Sequence, residues 1–138
     1  MSEAKIIGSA TASNKGGIYE TNLLAGGVQL IADEPKEMGG NEMGPAPADY
    51  LCMALASCKA ITIRMYVNRK GWNVDTINVK ANFVKGDDLP SGTNTFFCEV
   101  QVEGELTEEQ RQRIMHVAKI CPVDRLLQKQ SDVETVMK

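Results

Sequence analysis

The feature that most constrains this chain is a long apolar segment between a proline-rich loop and a glycine. Pro47 suits the first turn of a helix, because its φ is fixed near the helical value and its missing N–H is not needed there. Gly71 is a typical helix stop. The pattern predicts a helix over residues 48–70, roughly 35 Å long at about 1.5 Å per residue.

The first two-thirds of this helix is apolar or small on nearly every side. A helix that is apolar all round is buried all round. A chain of 138 residues can hardly enclose such a helix alone. We therefore expect a second copy of the chain to cover part of it.

The segments on either side of the helix alternate between apolar and polar residues or carry turn signals. Glycine-rich turns before the helix predict a three-stranded meander, and two alternating segments after it predict a hairpin. The predicted strands are residues 5–13, 18–24, 28–32, 77–83 and 96–102.

The last third of the chain carries two helix signals. Thr107 and Gln110 form a capping box, which predicts a helix to about Ile120. A short helix follows Pro122, and residues 133–137 are predicted as a last strand. We therefore predict an α+β fold of order β-β-β-α-β-β-α-α-β, formed by residues 1–138 as a single domain.

Composition and charge exclude several functional classes. The net charge of −3 and the pI near 5.2 predict no nucleic acid partner, because such proteins show a basic face. The first dozen residues lack the apolar segment of a signal peptide, and no apolar run approaches the roughly 20 residues that span a bilayer. We expect a cytoplasmic protein without a membrane partner.

The ligands for a metal site are also missing from the sequence. There is no C-x2-C pair, and the only histidine, His116, has no partner at ligand spacing. His116 lies in an amphipathic segment, where a packing or surface role is more common than catalysis. We therefore expect no metal site.

Four cysteines in a reducing compartment are expected to be free, with catalytic or inert roles. Cys98 on the apolar face of a strand, and Cys52 on the long helix, are interpreted as inert buried residues. Cys58 is also mid-helix, and local physics alone favours a structural role for it, although small neighbours leave room beside its thiol. Cys121 precedes Pro122 and so is a predicted N-cap, where the helix dipole favours a thiolate.

Two motifs containing these cysteines resemble one family. The first runs from Gly39-Gly40 through Gly44-Pro45-Ala46-Pro47 and Leu51-x3-Leu55-Ala56-Ser57-Cys58 to Ile61-Thr62. The second joins Glu103-Gly104-Glu105-Leu106-Thr107-x2-Gln110-x2-Arg113 to Ala118-x2-Cys121-Pro122-Val123. Together, and in this order, they resemble the OsmC/organic hydroperoxide resistance family along essentially the whole chain.

The resemblance implies an OsmC-like intertwined homodimer, in which the long central helix packs between antiparallel sheets. It implies a thiol peroxidase that acts on organic hydroperoxides without a cofactor. Cys58 would attack the peroxide and become a sulfenic acid, and Cys121 would resolve it as a disulfide. A dithiol, which in some members is a lipoylated protein, would reduce that disulfide.

One part of the family pattern differs here. The family places an arginine near the N-terminus, held by a glutamate, to favour the thiolate. This chain has no arginine before Arg64; Lys15 stands nearest the arginine's place, and Asp49 falls at the glutamate's place. The resemblance thus assigns Lys15 and Asp49 to the site together with Cys58 and Cys121.

Two alternatives remain open at this point. The departure from the arginine and glutamate pattern allows a redox-sensing or small-molecule-binding protein of the same fold, with weak or no peroxidase activity. The burial habits of cysteine also allow a purely structural protein whose thiols are inert.

Overall fold

A computed structural model describes residues 4–138. The chain is mixed α+β, and its described part divides into two compact units between Tyr50 and Leu51. The elements are β1 (Thr11–Ser13), β2 (Thr21–Ala25), β3 (Val28–Ala32), a 3-10 helix (Lys36–Met38), α1 (Pro47–Lys70), β4 (Val74–Val84), β5 (Thr95–Gly104), α2 (Glu108–Ala118) and α3 (Pro122–Leu127).

The N-terminal unit is built on an antiparallel meander in the order β1-β2-β3. Ala25 pairs with Val28, so only Gly26 and Gly27 form the turn between β2 and β3. Both glycines have positive φ, at 57° and 77°, as a tight two-residue hairpin turn requires. The predicted meander is confirmed, although β1 and β2 start later than the sequence pattern indicated.

The loop after β3 is held by a buried carboxylate and by a close approach of two backbones. Asp33 accepts from the backbone N–H of Glu34 at 2.7 Å and of Met43 at 3.1 Å. A Cβ at Gly44 would lie 2.2 Å from the carbonyl oxygen of Ile31. The glycine at position 44 is therefore required by the packing of this loop on β3.

The C-terminal unit places α1 and α2 against the long antiparallel hairpin of β4 and β5. Ile63 and Val67 on one face of α1 have no exposed surface, and they pack with Ile114 and Val117 of α2. Further core positions are Val74 and Ala118, with the half-buried Tyr66, Trp72, Ile77, Val100, Val102 and Leu106 packed against them. This core confirms the predicted long helix and the predicted hairpin.

The rest of α1 presents apolar side chains that this chain does not cover. Leu51, Met53, Ile61 and Met65 are all more than two-fifths exposed, and Met65 reaches 67%. By length and composition α1 could also cross a membrane, although charged residues interrupt its apolar sequence. Core helices pass the same test, and a single such helix is weak support for a membrane span.

Capping residues position the two last helices. Thr107 accepts from the backbone of Gln110 at 3.1 Å, and the Gln110 side chain accepts from the backbone of Thr107 at 2.9 Å. This reciprocal pair confirms the predicted capping box. Helix α2 ends at Ala118, two residues before the predicted end.

The predicted last strand at residues 133–137 is wrong for this chain. Residues 129–138 form no helix or strand, and all of them are exposed. A strand needs a neighbour for its backbone hydrogen bonds, and none of the five described strands pairs with this segment. Its apolar residues, Val133, Val136 and Met137, also do not alternate, so they define no single strand face.

Candidate functional site

The two predicted site cysteines come together in the C-terminal unit. Cys58 lies on α1, and Cys121 lies where the chain turns from α2 into α3. Cys58 lies close enough to Cys121 to raise the pKa of the Cys121 thiol. Both thiols are free; Cys58 is half-buried, whereas Cys121 has no exposed surface. The structure therefore pairs a thiol that solvent reaches with one that it does not.

Cys121 is the N-cap of α3, as the sequence predicts. Its backbone is extended (φ −65°, ψ 151°), and Pro122 begins the helix. The Cys121 sulfur accepts from the backbone N–H of Asp124 at 3.4 Å. This bond gives one otherwise unpaired N–H of the helix a partner and fixes the direction of the thiol.

The helix N-terminus was expected to favour a thiolate at Cys121, and burial of the sulfur opposes this effect. Burial raises the pKa of the Cys121 thiol, and the backbone N–H of Asp124 opposes this only in part. The adjacent Cys58 raises the pKa of Cys121 further, and Lys59 lowers it. The net shift is upward, because a fully buried sulfur has lost the water that would stabilise its charge.

A buried ion pair next to the two thiols was missed by the sequence analysis. Lys59 directly follows Cys58, is only 4% exposed, and forms an ion pair with the carboxylate of Asp124. Its Nζ also donates to the carbonyl oxygen of Ala118 at 2.6 Å. Asp124 additionally accepts from the side-chain amide of Gln128. The only sequence signal was a lysine within an otherwise apolar stretch of helix.

The two other cysteines lie at the edge of this site. Cys98 on β5 is half-buried, and burial raises the pKa of its thiol. Lys59, Asp124 and Cys52 are the charged or titratable groups that act on Cys98. Cys98 thus lies near the ion pair and Cys52 lies near Cys98, and the interpretation of both as inert residues stays a prediction.

The two other predicted site residues lie in the N-terminal unit. Lys15 is exposed in the turn after β1. Asp49, in the first turn of α1, accepts from the backbone N–H of Ala46 at 3.0 Å. Within residues 4–138 no ion pair joins Lys15 to Asp49. Asp49 therefore caps its own helix here, and the catalytic role of both residues stays a prediction.

His116 is not part of the thiol site. It is exposed near the end of α2, and it lines an open surface cleft with Tyr66, Trp72 and Arg113. Among residues 4–138, no three His, Cys, Asp or Glu side chains are placed to hold a metal ion.

Comparison with known proteins identifies the family. A model of the family described as OsmC-like protein matches residues 39–136, a range that includes both thiols. No curated protein matches the chain. Several solved structures share its fold.

Three of these structures illustrate the likeness. An OsmC-like protein from Mycoplasma pneumoniae has a TM-score of 0.71 at 18% identity, covering 91% of this chain and 89% of that one. An organic hydroperoxide resistance protein OsmC from Legionella pneumophila has 0.64 at 15%, covering 91% and 92%. The organic hydroperoxide resistance protein OhrB of Bacillus subtilis has 0.59 at 16%, covering 89% and 91%.

At these identities the structural likeness shows the fold alone. The family model, in contrast, covers well over half of the sequence. This chain therefore belongs to the OsmC-like family.

Proposed function

We propose that this protein is a thiol peroxidase that reduces organic hydroperoxides through a Cys58 sulfenate and a Cys58–Cys121 disulfide. The observation that carries the proposal is the pairing of a half-buried thiol with a neighbouring thiol that is fully buried. Two of the similar structures are organic hydroperoxide resistance proteins, which supports this choice of substrate class.

The different exposure of the two thiols supports the roles that we propose for them. Peroxide must reach the sulfur that it oxidises, and Cys58 is the member of the pair with exposed surface. Cys121 is closed to solvent but adjacent to Cys58, so the sulfenic sulfur is the electrophile within its reach. The raised pKa of Cys121 keeps it protonated during the first step.

The reaction proceeds in three steps. The Cys58 thiolate attacks the outer oxygen of the hydroperoxide, the O–O bond breaks, and the alkoxide leaves with a proton as an alcohol. Cys121 then attacks the Cys58 sulfenic acid; an S–S bond forms, the S–O bond breaks, and water leaves. A dithiol, such as a lipoylated protein, reduces the disulfide by exchange and becomes a disulfide itself.

Turnover of cumene hydroperoxide with dithiothreitol, or with a lipoylated carrier, tests the proposal. We expect Cys58→Ser to abolish turnover, whereas Cys52→Ser should retain it. Cys52 is the matched control because it is a second free, half-buried cysteine on the same helix. Equal rates for the wild type and Cys58→Ser would refute the proposal.

Cys121→Ser separates the second step from the first. Without Cys121, one equivalent of hydroperoxide should leave a Cys58 sulfenic acid that dimedone traps. Intact mass should then show one dimedone adduct and no Cys58–Cys121 disulfide. A rate of peroxide consumption with dithiothreitol equal to that of the wild type would show that Cys121 is not needed for resolution.

We propose that two copies of the chain form the functional unit. The support is the uncovered apolar face of α1, defined by Leu51, Met53, Ile61 and Met65. Light scattering after size exclusion should give twice the chain mass of 15.1 kDa. Met65→Glu should shift the mass toward one chain, because it places a charge on the most exposed residue of that face.

The competing function is redox sensing or small-molecule binding with weak peroxidase activity. It is favoured by Lys15, which is exposed and forms no ion pair with Asp49 within the described residues. If Lys15 assists Cys58, Lys15→Ala should slow the peroxide step and leave disulfide formation from the sulfenic acid unchanged. Slow turnover that Lys15→Ala leaves unchanged, with a reversible disulfide, would favour the sensor.

A further inference from the structure

One side chain of α1, that of Lys59, makes polar contacts on both sides of the segment that carries Cys121. Residues 119–121 connect α2, which ends at Ala118, to α3, which begins at Pro122. Lys59 on α1 donates to the carbonyl oxygen of Ala118 on one side of this connector. It pairs with the carboxylate of Asp124 on the other side.

The same ion pair places a positive and a negative charge close to the turn that holds the buried sulfur, and the charge of Lys59 lowers the pKa of Cys121. Asp124 supplies the backbone N–H that the Cys121 sulfur accepts, so its carboxylate belongs to the same helical turn. A bare carboxylate there would oppose a thiolate, and the ammonium of Lys59 neutralises it. The pair is buried, with side-chain exposures of 5% and 17%, so solvent screens it weakly.

We propose that Lys59 and Asp124 are positioning residues for the resolving cysteine, holding both ends of its connector against α1 and keeping its surroundings neutral. This inference rests on the proposed function, because it concerns the second step of that reaction. Cys121 must become a thiolate to attack the sulfenic sulfur of Cys58. The groups that face Cys121 in this step are Cys58 and Lys59 from α1 and Asp124 from α3, and Cys98 of β5 lies beside the ion pair.

The charge balance makes a specific prediction for three forms of the site. The wild type has one positive and one negative charge beside Cys121, K59M has only the negative charge, and K59M/D124N has neither. The pKa of Cys121 should therefore rise by about one unit in K59M and return toward the wild-type value in the double variant. A role limited to tying the connector would make the double variant no better than K59M.

The measurement is the thiolate absorbance at 240 nm against pH in the full-length protein. All proteins carry Cys58→Ser, which removes the neighbouring thiol. For each form of positions 59 and 124, a matched protein that also carries Cys121→Ser is titrated. The difference between the two absorbance curves is the titration of Cys121. An unchanged Cys121 pKa in K59M, or equal shifts in K59M and K59M/D124N, would overturn the proposal. Should K59M fail to fold, K59Q takes its place with the same expected direction, because it removes the charge and keeps a donor.

The consequence for the reaction is measured in a single turnover with the wild-type Cys58. After one equivalent of cumene hydroperoxide, disulfide formation in K59M should be about three- to tenfold slower at neutral pH, because less Cys121 is ionised and a more basic thiolate compensates in part. An unchanged rate would count against the positioning role. The absorbance titration needs no peroxidase activity. Its result can therefore contradict the role of Lys59 and Asp124 while Cys58→Ser still abolishes turnover, and it can support that role in a protein that lacks peroxidase activity.

Discussion

Replacing Lys59 with methionine should lower the free energy of unfolding by about 3 kcal/mol. Methionine fills a similar volume but leaves the Asp124 carboxylate, whose side chain is 17% exposed, without its counter-charge. Removing one partner of a buried ion pair costs about 3–5 kcal/mol. We expect the lower end of this range, because Asp124 keeps the Gln128 amide and some contact with water.

The second arm of this experiment is the double variant. K59M/D124N removes the stranded charge, so its loss of stability should be smaller than the sum of the two single losses by about 2 kcal/mol. Lys59 donates a hydrogen bond to the carbonyl oxygen of Ala118, and this bond is lost in K59M and in K59M/D124N. The double variant should therefore recover only part of the free energy of unfolding that K59M loses.

Urea unfolding followed by fluorescence measures these differences. Trp72 is the only tryptophan and packs against the core of the C-terminal unit, so its emission reports unfolding of the unit that contains the ion pair. Chain concentration must be held constant, since assembly adds concentration-dependent stability. A loss below about 0.5 kcal/mol in K59M, or strictly additive single losses, would show that the pair does not stabilise this unit.

Three further predictions concern pH and packing. Because burial raises the pKa of the Cys121 thiol, the stability that this thiol contributes is present below its unfolded pKa and is lost as the pH rises through its folded pKa. The free energy of unfolding should therefore fall above about pH 8.5, by up to about 1.4 kcal/mol per pH unit for this thiol. In a urea series at several pH values Cys121→Ala should reduce this slope, and the part that remains should include Cys98, whose pKa burial also raises. Burial raises the pKa of Asp33, but the backbone N–H groups that its carboxylate accepts from, including that of Met43, lower the pKa by more, so the net shift is downward. The stability that Asp33 contributes is therefore present above about pH 4 and should be lost as the pH falls through the lower folded pKa. Asp33→Asn should reduce this loss of stability in acid, measured by thermal melts. Gly44→Ala should cost about 3 kcal/mol in urea unfolding, because its Cβ would meet the Ile31 carbonyl; wild-type stability would refute this contact.

The elements that the sequence predicted well are those set by local signals. Pro47 and Gly71 bound α1 within a residue of the predicted range, and α3 begins at the predicted Pro122. The alternation of apolar and polar residues was sufficient to predict β4 and β5, because a hairpin pairs neighbouring segments and needs no distant partner. The residues 133–137 have no such neighbour in this chain, and a short apolar segment without a partner does not form a strand.

The ion pair could not be found in the same way, because its members lie far apart in the sequence. Lys59 and Asp124 are separated by 65 positions, and no periodicity relates a residue of α1 to one of α3. Lys59 is the one charged residue between Asp49 and Arg64, and a lysine in an exposed helix usually faces solvent. Only the packing of α2 and α3 onto α1 shows that its ammonium is enclosed and has acceptors from both.

The roles of the two thiols depend on a similar difference between local and tertiary effects. From the sequence, Cys121 has the better-supported thiolate, because a helix N-terminus offers a charge typically about 0.3–1 kcal/mol of stabilisation. Complete burial opposes ionisation by as much as several pKa units, each of which is about 1.4 kcal/mol. Burial is therefore the larger effect at Cys121, whose sulfur is closed to solvent and whose pKa is raised. In the proposed reaction Cys58 therefore meets the peroxide first, and Cys121, which lies beside it at the start of α3, reacts second.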